Sequence, residues 1–130
     1  MKDYTDTPRS AWERRKVAVL ASMPAVVKAH VVPWQVIVIK TFAEAMKPMN
    51  SDHWIDGYMQ ANPETAQDLI KDLRKIDTRS VNVRQQLKVV FLRTAQRLEA
   101  SGKTGRKADE IYTELCTLFR KELDQLGRQR

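Results

Sequence analysis

Gly102-Lys103-Thr104 lies inside "ASGKTGRK" at residues 100–107, where a phosphate-cradling loop is the first chemistry to test. A P-loop needs a glycine five residues ahead of its Gly-Lys pair, and it must join a strand to a helix. The earlier position holds Arg97, and "SVNVRQQLKVVFLRTAQRLEA" leads into the loop with helical spacing rather than strand alternation. Pattern and context both exclude a P-loop. What remains is a short loop in which Lys103, Arg106 and Lys107 accompany Thr104 and two glycines at a predicted helix start. Free backbone N–H groups and the positive dipole end there favour an anion.

Convergent catalytic groups are scarce. The histidines are His30 and His53, and only His53 has carboxylates near it, Asp52 and Asp56. His53 and Asp56 share a face of a short predicted helix, which is a weak metal signal beside the alternative of a solvated face. Glu122 falls inside an apolar stripe, which predicts a structural ion pair in preference to a catalytic acid. Cys116 is the single cysteine, so an intrachain disulfide and a four-cysteine metal site are excluded, and its place beside Leu115 and Leu118 predicts a packed thiol. No GxSxG elbow or HExxH pair occurs. The expectation is a protein that is not an enzyme, with no catalytic residue, metal or cofactor.

The basic residues carry more. Lys and Arg number 23 against 16 Asp and Glu, a net charge of +7 that favours a polyanionic partner. Arg74, Lys75, Arg79 and Arg84 gather around "KIDTRS", at the start of a long predicted helix. The loop 100–107 forms a second cluster at that helix's far end. About 20 helical residues separate the two, so roughly 30 Å, or on the order of nine base pairs of duplex at about 3.4 Å each. Lys88 lies between them, with Arg93 and Arg97 on the opposite flank. The expected partner is the phosphate backbone of DNA or RNA, contacted by Arg74, Lys75, Arg79, Arg84, Lys88, Lys103, Thr104, Arg106 and Lys107. Asp68, Asp72, Asp109, Glu110 and Glu114 interrupt this surface, so a solubilising face is the competing account. A helix-turn-helix over 66–91 fits poorly, because Asp72, Leu73 and Ile76 stand where small residues are needed.

A second functional reading is a protein-interaction module, with a partner protein or a homo-oligomer. Trp54 and Tyr58, four apart on a short helix, form a candidate exposed aromatic pair. Val89 and Leu92 fall off the main apolar face of the long helix, as if a partner covered them. A basic run, "ERRK" at 13–16, follows Trp12, which aligns with Val19 and Met23 as a predicted core anchor.

Positioning these residues is the work of helices. With 42% hydrophobic and 30% charged residues in 130, the composition fits one globular domain spanning 1–130. Thr7-Pro8 predicts a helix through about residue 21, and Ser22 and Pro24 restart a short piece ending near His30. Residues 31–39, "VVPWQVIVI", suit a helix or a strand; the continuation "FAEAMK" favours helix. Pro48 stops it, and Ser51 or Asp52 caps the short helix carrying Trp54. Asn62-Pro63 opens another, with Leu69, Ile70, Leu73 and Ile76 on one stripe. Ser80 is a predicted cap for a long central helix over about 81–100, with Val83, Leu87, Val90, Phe91, Thr94 and Leu98 on its main face. Gly102 suits a left-handed helix end, and Thr104 caps a last helix over about 106–126. The expected fold is all-α, a compact single-domain bundle of five to seven helices. The stretch from Val17 to Phe42 is broken by Pro24, Lys28, His30, Pro33 and Lys40, which predicts no membrane span. The polar start "MKDYTDTPRSAWERRK" predicts no signal peptide, and the expected location is cytoplasmic.

Overall fold

The apolar stripe of the long helix becomes the spine of the fold. In the computed structural model, which describes residues 8–23, 34–48 and 53–128, Leu87, Phe91, Thr94, Ala95 and Leu98 are fully buried and Val83 and Val90 nearly so. Seven helices are present among the described residues, and no strand. They are α1 (Pro8–Ser22), α2 (Trp34–Ala45), α3 (Trp54–Ala61), α4 (Pro63–Lys75), α5 (Val83–Ala100), α6 (Ala108–Leu118) and α7 (Arg120–Arg128). The helical alternative therefore holds for 34–39, and residues 31–33 lie outside the described part. So do Thr7, Ser51, Asp52 and the short piece expected near His30.

α5 packs against α4, α6 and α7, while α1 packs on α2 and α6. The core is aromatic at its centre. Trp12 meets Phe42 at 5.4 Å and Phe119 at 5.8 Å between ring centroids, both edge-on, and Phe91 lies 5.6 Å from Phe119. Edge-to-face pairs of this kind contribute about 0.5–1.5 kcal/mol each beyond their burial. Val19 on α1 and Met23, just past its end, are buried like Trp12, as their spacing predicts.

Three boundaries differ from expectation. The long helix starts at Val83, leaving Val81 93% exposed, and its N-cap is Asn82. Ser80 does not cap it; its hydroxyl bonds the Asn82 side chain instead. Thr104 does not cap α6 either: Lys107 is the N-cap residue, and the Thr104 hydroxyl donates to the Arg106 carbonyl at 3.2 Å. The first N–H of α6, on Ala108, donates to Glu99 Oε2 at 2.6 Å, so a carboxylate from the end of α5 occupies this helix start. Finally, the last helix divides at Phe119 (φ −114°, ψ 29°). The Leu118 carbonyl accepts from the Lys16 ammonium, and Phe119 turns fully into the core. Gly102 has the expected positive φ of 70°, which lets the chain reverse between α5 and α6.

Candidate nucleic-acid interface

The charged residues fall into two populations, and burial separates them. On the α1 side, buried carboxylates meet cations of α1, of which Arg15 and Lys16 are buried as well and Arg9 is exposed. Arg15, with a side chain 9% exposed, makes a bidentate pair with fully buried Asp56, one arm at 2.8 Å. Lys16 bonds Glu122 Oε1 at 3.0 Å, the structural pair expected for that carboxylate. Arg9 grips Glu114 through two contacts, at 2.7 and 2.8 Å. Burying Arg15, Lys16 or any of the three carboxylates alone would be costly, which is why partners accompany them.

His53 belongs to this interior network. Its Nδ1 accepts from the Ile55 N–H at 3.1 Å, so Nε2 carries the proton and donates to Glu114 Oε2 at 2.9 Å. Asp56 accepts the His53 N–H at 3.1 Å, closing a cap on α3. The face carrying His53 and Asp56 is thus buried and ion-paired rather than solvated, which corrects the sequence reading. Among the described residues no group of three potential metal ligands occurs. The Arg9 guanidinium, bonded to its carboxylate, holds Glu114 below the usual glutamate range against the opposing effect of burial, with His53 helping.

On another face of α6 the arrangement inverts. α5 and α6 run antiparallel around Gly102, which brings Arg84 and Lys88 on the first turns of α5 beside Tyr112 and Cys116 on α6. Arg120, the first residue of α7, faces the same groove. Its volume is about 360 Å³, with Thr113, Thr117, Leu123 and Asp124 completing the lining. Among the described residues none of Arg84, Lys88 and Arg120 makes an ion pair. Cys116 is half-buried, and that burial pushes its thiol up, with Tyr112, Lys88 and Arg84 pulling weakly the other way. Burial, and next the Cys116 thiol, raise the Tyr112 phenol.

The remaining sequence-selected residues divide. Arg74, Lys75 and Arg79 are exposed and likewise make no ion pair among the described residues. Lys75 faces a different groove, between α4 and α5, so the first cluster spans two faces. In the second cluster Arg106 is engaged: its guanidinium lies 4.2 Å from the Trp54 ring centroid and 3.4 Å from Glu110. Lys103 reaches the Ala61 carbonyl at 3.5 Å, while Lys107 stays exposed. Trp54 and Tyr58 pack on each other at 5.4 Å and against the core, both half-buried. Val89 and Leu92 are 38% and 39% exposed.

Arg120 is the groove residue that the sequence reading missed. A signal existed, since Arg84 and Arg120 stand equally far along the chain from Gly102, and an antiparallel pair folded there brings them together. No helix among the described residues is long and apolar enough to cross a membrane. No protein-family model, no curated protein and no solved structure matches the chain.

Proposed function

We propose that the protein is a small, basic, non-catalytic nucleic-acid-binding accessory protein that contacts the phosphate backbone, within a larger nucleoprotein complex. The observation that carries this reading is the groove between α5, α6 and α7, where Arg84, Lys88 and Arg120 converge with no carboxylate among the described residues paired to any of them. Interior cations elsewhere in the molecule have partners, so their absence here leaves charge free for an anion. Arg74, Lys75 and Arg79 extend the same cationic end of α5. The loop 100–107 is the weaker contact, since Arg106 is already held by Trp54 and Glu110. Binding is expected to be steeply salt-dependent, because each neutralised phosphate releases counterions. Fluorescence anisotropy with labelled DNA and RNA over a salt series tests this. Three or more contacts give a slope of log K against log salt of about −2 or steeper. No binding to any nucleic acid at low salt contradicts the reading.

The second reading, a protein-interaction module or homo-oligomer, draws on exposed Val81, Val89 and Leu92. Val89 borders the groove between α4 and α5 together with Ile76 and Val90. Sedimentation velocity decides for it if the protein self-associates and Val89→Lys/Leu92→Lys dissociates it. A protein that is monomeric at all concentrations, or an oligomer indifferent to both changes, removes the homo-oligomer form.

A further inference from the structure

The groove has a floor as well as a charged rim. Tyr112 packs against the core cluster and also lines the groove, so an aromatic ring contributes to an open lining that also carries three cations. Cys116, one turn along α6, and Leu123 on α7 extend that surface with apolar atoms. Arg84, Lys88 and Arg120 stand around it from two helices, grouped about one place rather than strung along a line. A volume of about 360 Å³ falls at the small end of the range for pockets that take compact ligands.

A duplex fits this shape badly. It is a broad cylinder whose base faces are stacked inside, so it would touch the rim and leave the aromatic floor unused. A single strand offers both chemistries at once, phosphates for cations and a base plane for an aromatic ring. We propose that the groove seats one nucleotide of a single-stranded nucleic acid, its base against Tyr112 and its flanking phosphates on Arg84, Lys88 and Arg120. Among the described lining residues Asp124 is the acid, on the same helix as Arg120, so Arg84 and Lys88 on α5 are the stronger phosphate contacts and Arg120 the weaker. This inference rests on the nucleic-acid reading above and narrows it to single strands.

The test compares four labelled probes by anisotropy at one salt concentration: single-stranded DNA, single-stranded RNA, the DNA duplex, and the DNA strand with abasic sites. The abasic strand keeps every phosphate and loses the base planes. Expected is about tenfold weaker binding of the abasic strand than of the intact one, with the duplex also weaker. Tyr112→Leu should show the same loss on the intact strand, and Tyr112→Phe should restore it. The DNA and RNA arms show which sugar the site accepts, and tighter binding of an intact single strand than of the abasic strand and the duplex supports the inference. Equal binding of intact, abasic and duplex probes overturns it while leaving backbone binding standing. No binding of any probe overturns both. The abasic comparison uses the unaltered protein, so it decides even where a Tyr112 variant folds poorly.

Discussion

On the α1 side of the bundle buried carboxylates meet cations of α1: Asp56 with buried Arg15, Glu122 with buried Lys16, and Glu114 with Arg9, whose side chain stays largely exposed. At the groove between α5, α6 and α7, Arg84, Lys88 and Arg120 make no ion pair among the described residues, although Asp124 shares the lining. The residue types are the same and the physics differs. An interior ion pair repays its desolvation only through good geometry and added hydrogen bonds, so the Arg15–Asp56 and Lys16–Glu122 pairs are tied to backbone as well, at the His53 N–H and the Leu118 carbonyl. Cations at a groove keep their water and lose nothing by waiting unpaired. The difference teaches where to look for function in a basic protein: charge that the fold does not use is charge available to a ligand.

The comparison breaks most visibly at Asp56. Asp56→Ala leaves the Arg15 guanidinium buried without that carboxylate and removes a cap from α3. The expected loss of stability is about 3–5 kcal/mol, read as a lowered urea midpoint. A loss below about 1 kcal/mol would mean that Arg15 escapes to solvent and that the pair does not support the fold.

Glu114 sharpens the same side with a smaller effect. Its folded pKa lies below the ordinary glutamate value, so the protonated form is disfavoured in the native state. The stabilisation is therefore complete above the ordinary range, about pH 4.3, and is lost as pH falls through the lowered folded value. Glu114→Gln is expected to cost about 1.5–3 kcal/mol at neutral pH and to flatten the acid limb of the stability profile. An acid limb as steep as that of the unaltered protein would place the effect on other carboxylates.

Much of the fold was legible because local spacing decides it. The stripe through Leu87, Phe91 and Leu98 and the alignment of Trp12 with Val19 each reflect the helical period, and burial follows it. Gly102 was legible because a positive φ selects glycine. The interior network was not, since Arg9 and Glu114, or Arg15 and Asp56, come from distant parts of the chain and no local pattern links them. Glu122 is an intermediate case: its place in an apolar stripe announces a partner without saying that the partner is Lys16. The break at Phe119 has no glycine or proline to mark it; it comes from a distant ammonium taking the Leu118 carbonyl. Of the candidate site, Arg84 and Lys88 were visible as cations on one helix, while Arg120 and the Tyr112 floor needed the antiparallel packing of α5 and α6.

The smallest expected effect on stability falls on the groove, and it belongs with the largest effect on binding. An Arg84→Ala/Lys88→Ala/Arg120→Ala protein should unfold within about 0.5 kcal/mol of the original per substitution, as for surface changes away from structural contacts. The measurement that bears most directly on the account sets this variant beside the unaltered protein, with anisotropy titrations on single-stranded nucleic acid and urea unfolding in the same buffer. The account predicts binding weakened at least about tenfold, a salt slope reduced by about two units or more, and little change in unfolding midpoint. Unchanged affinity with unchanged stability would contradict it, for the cations that the fold leaves free would then serve no nucleic acid.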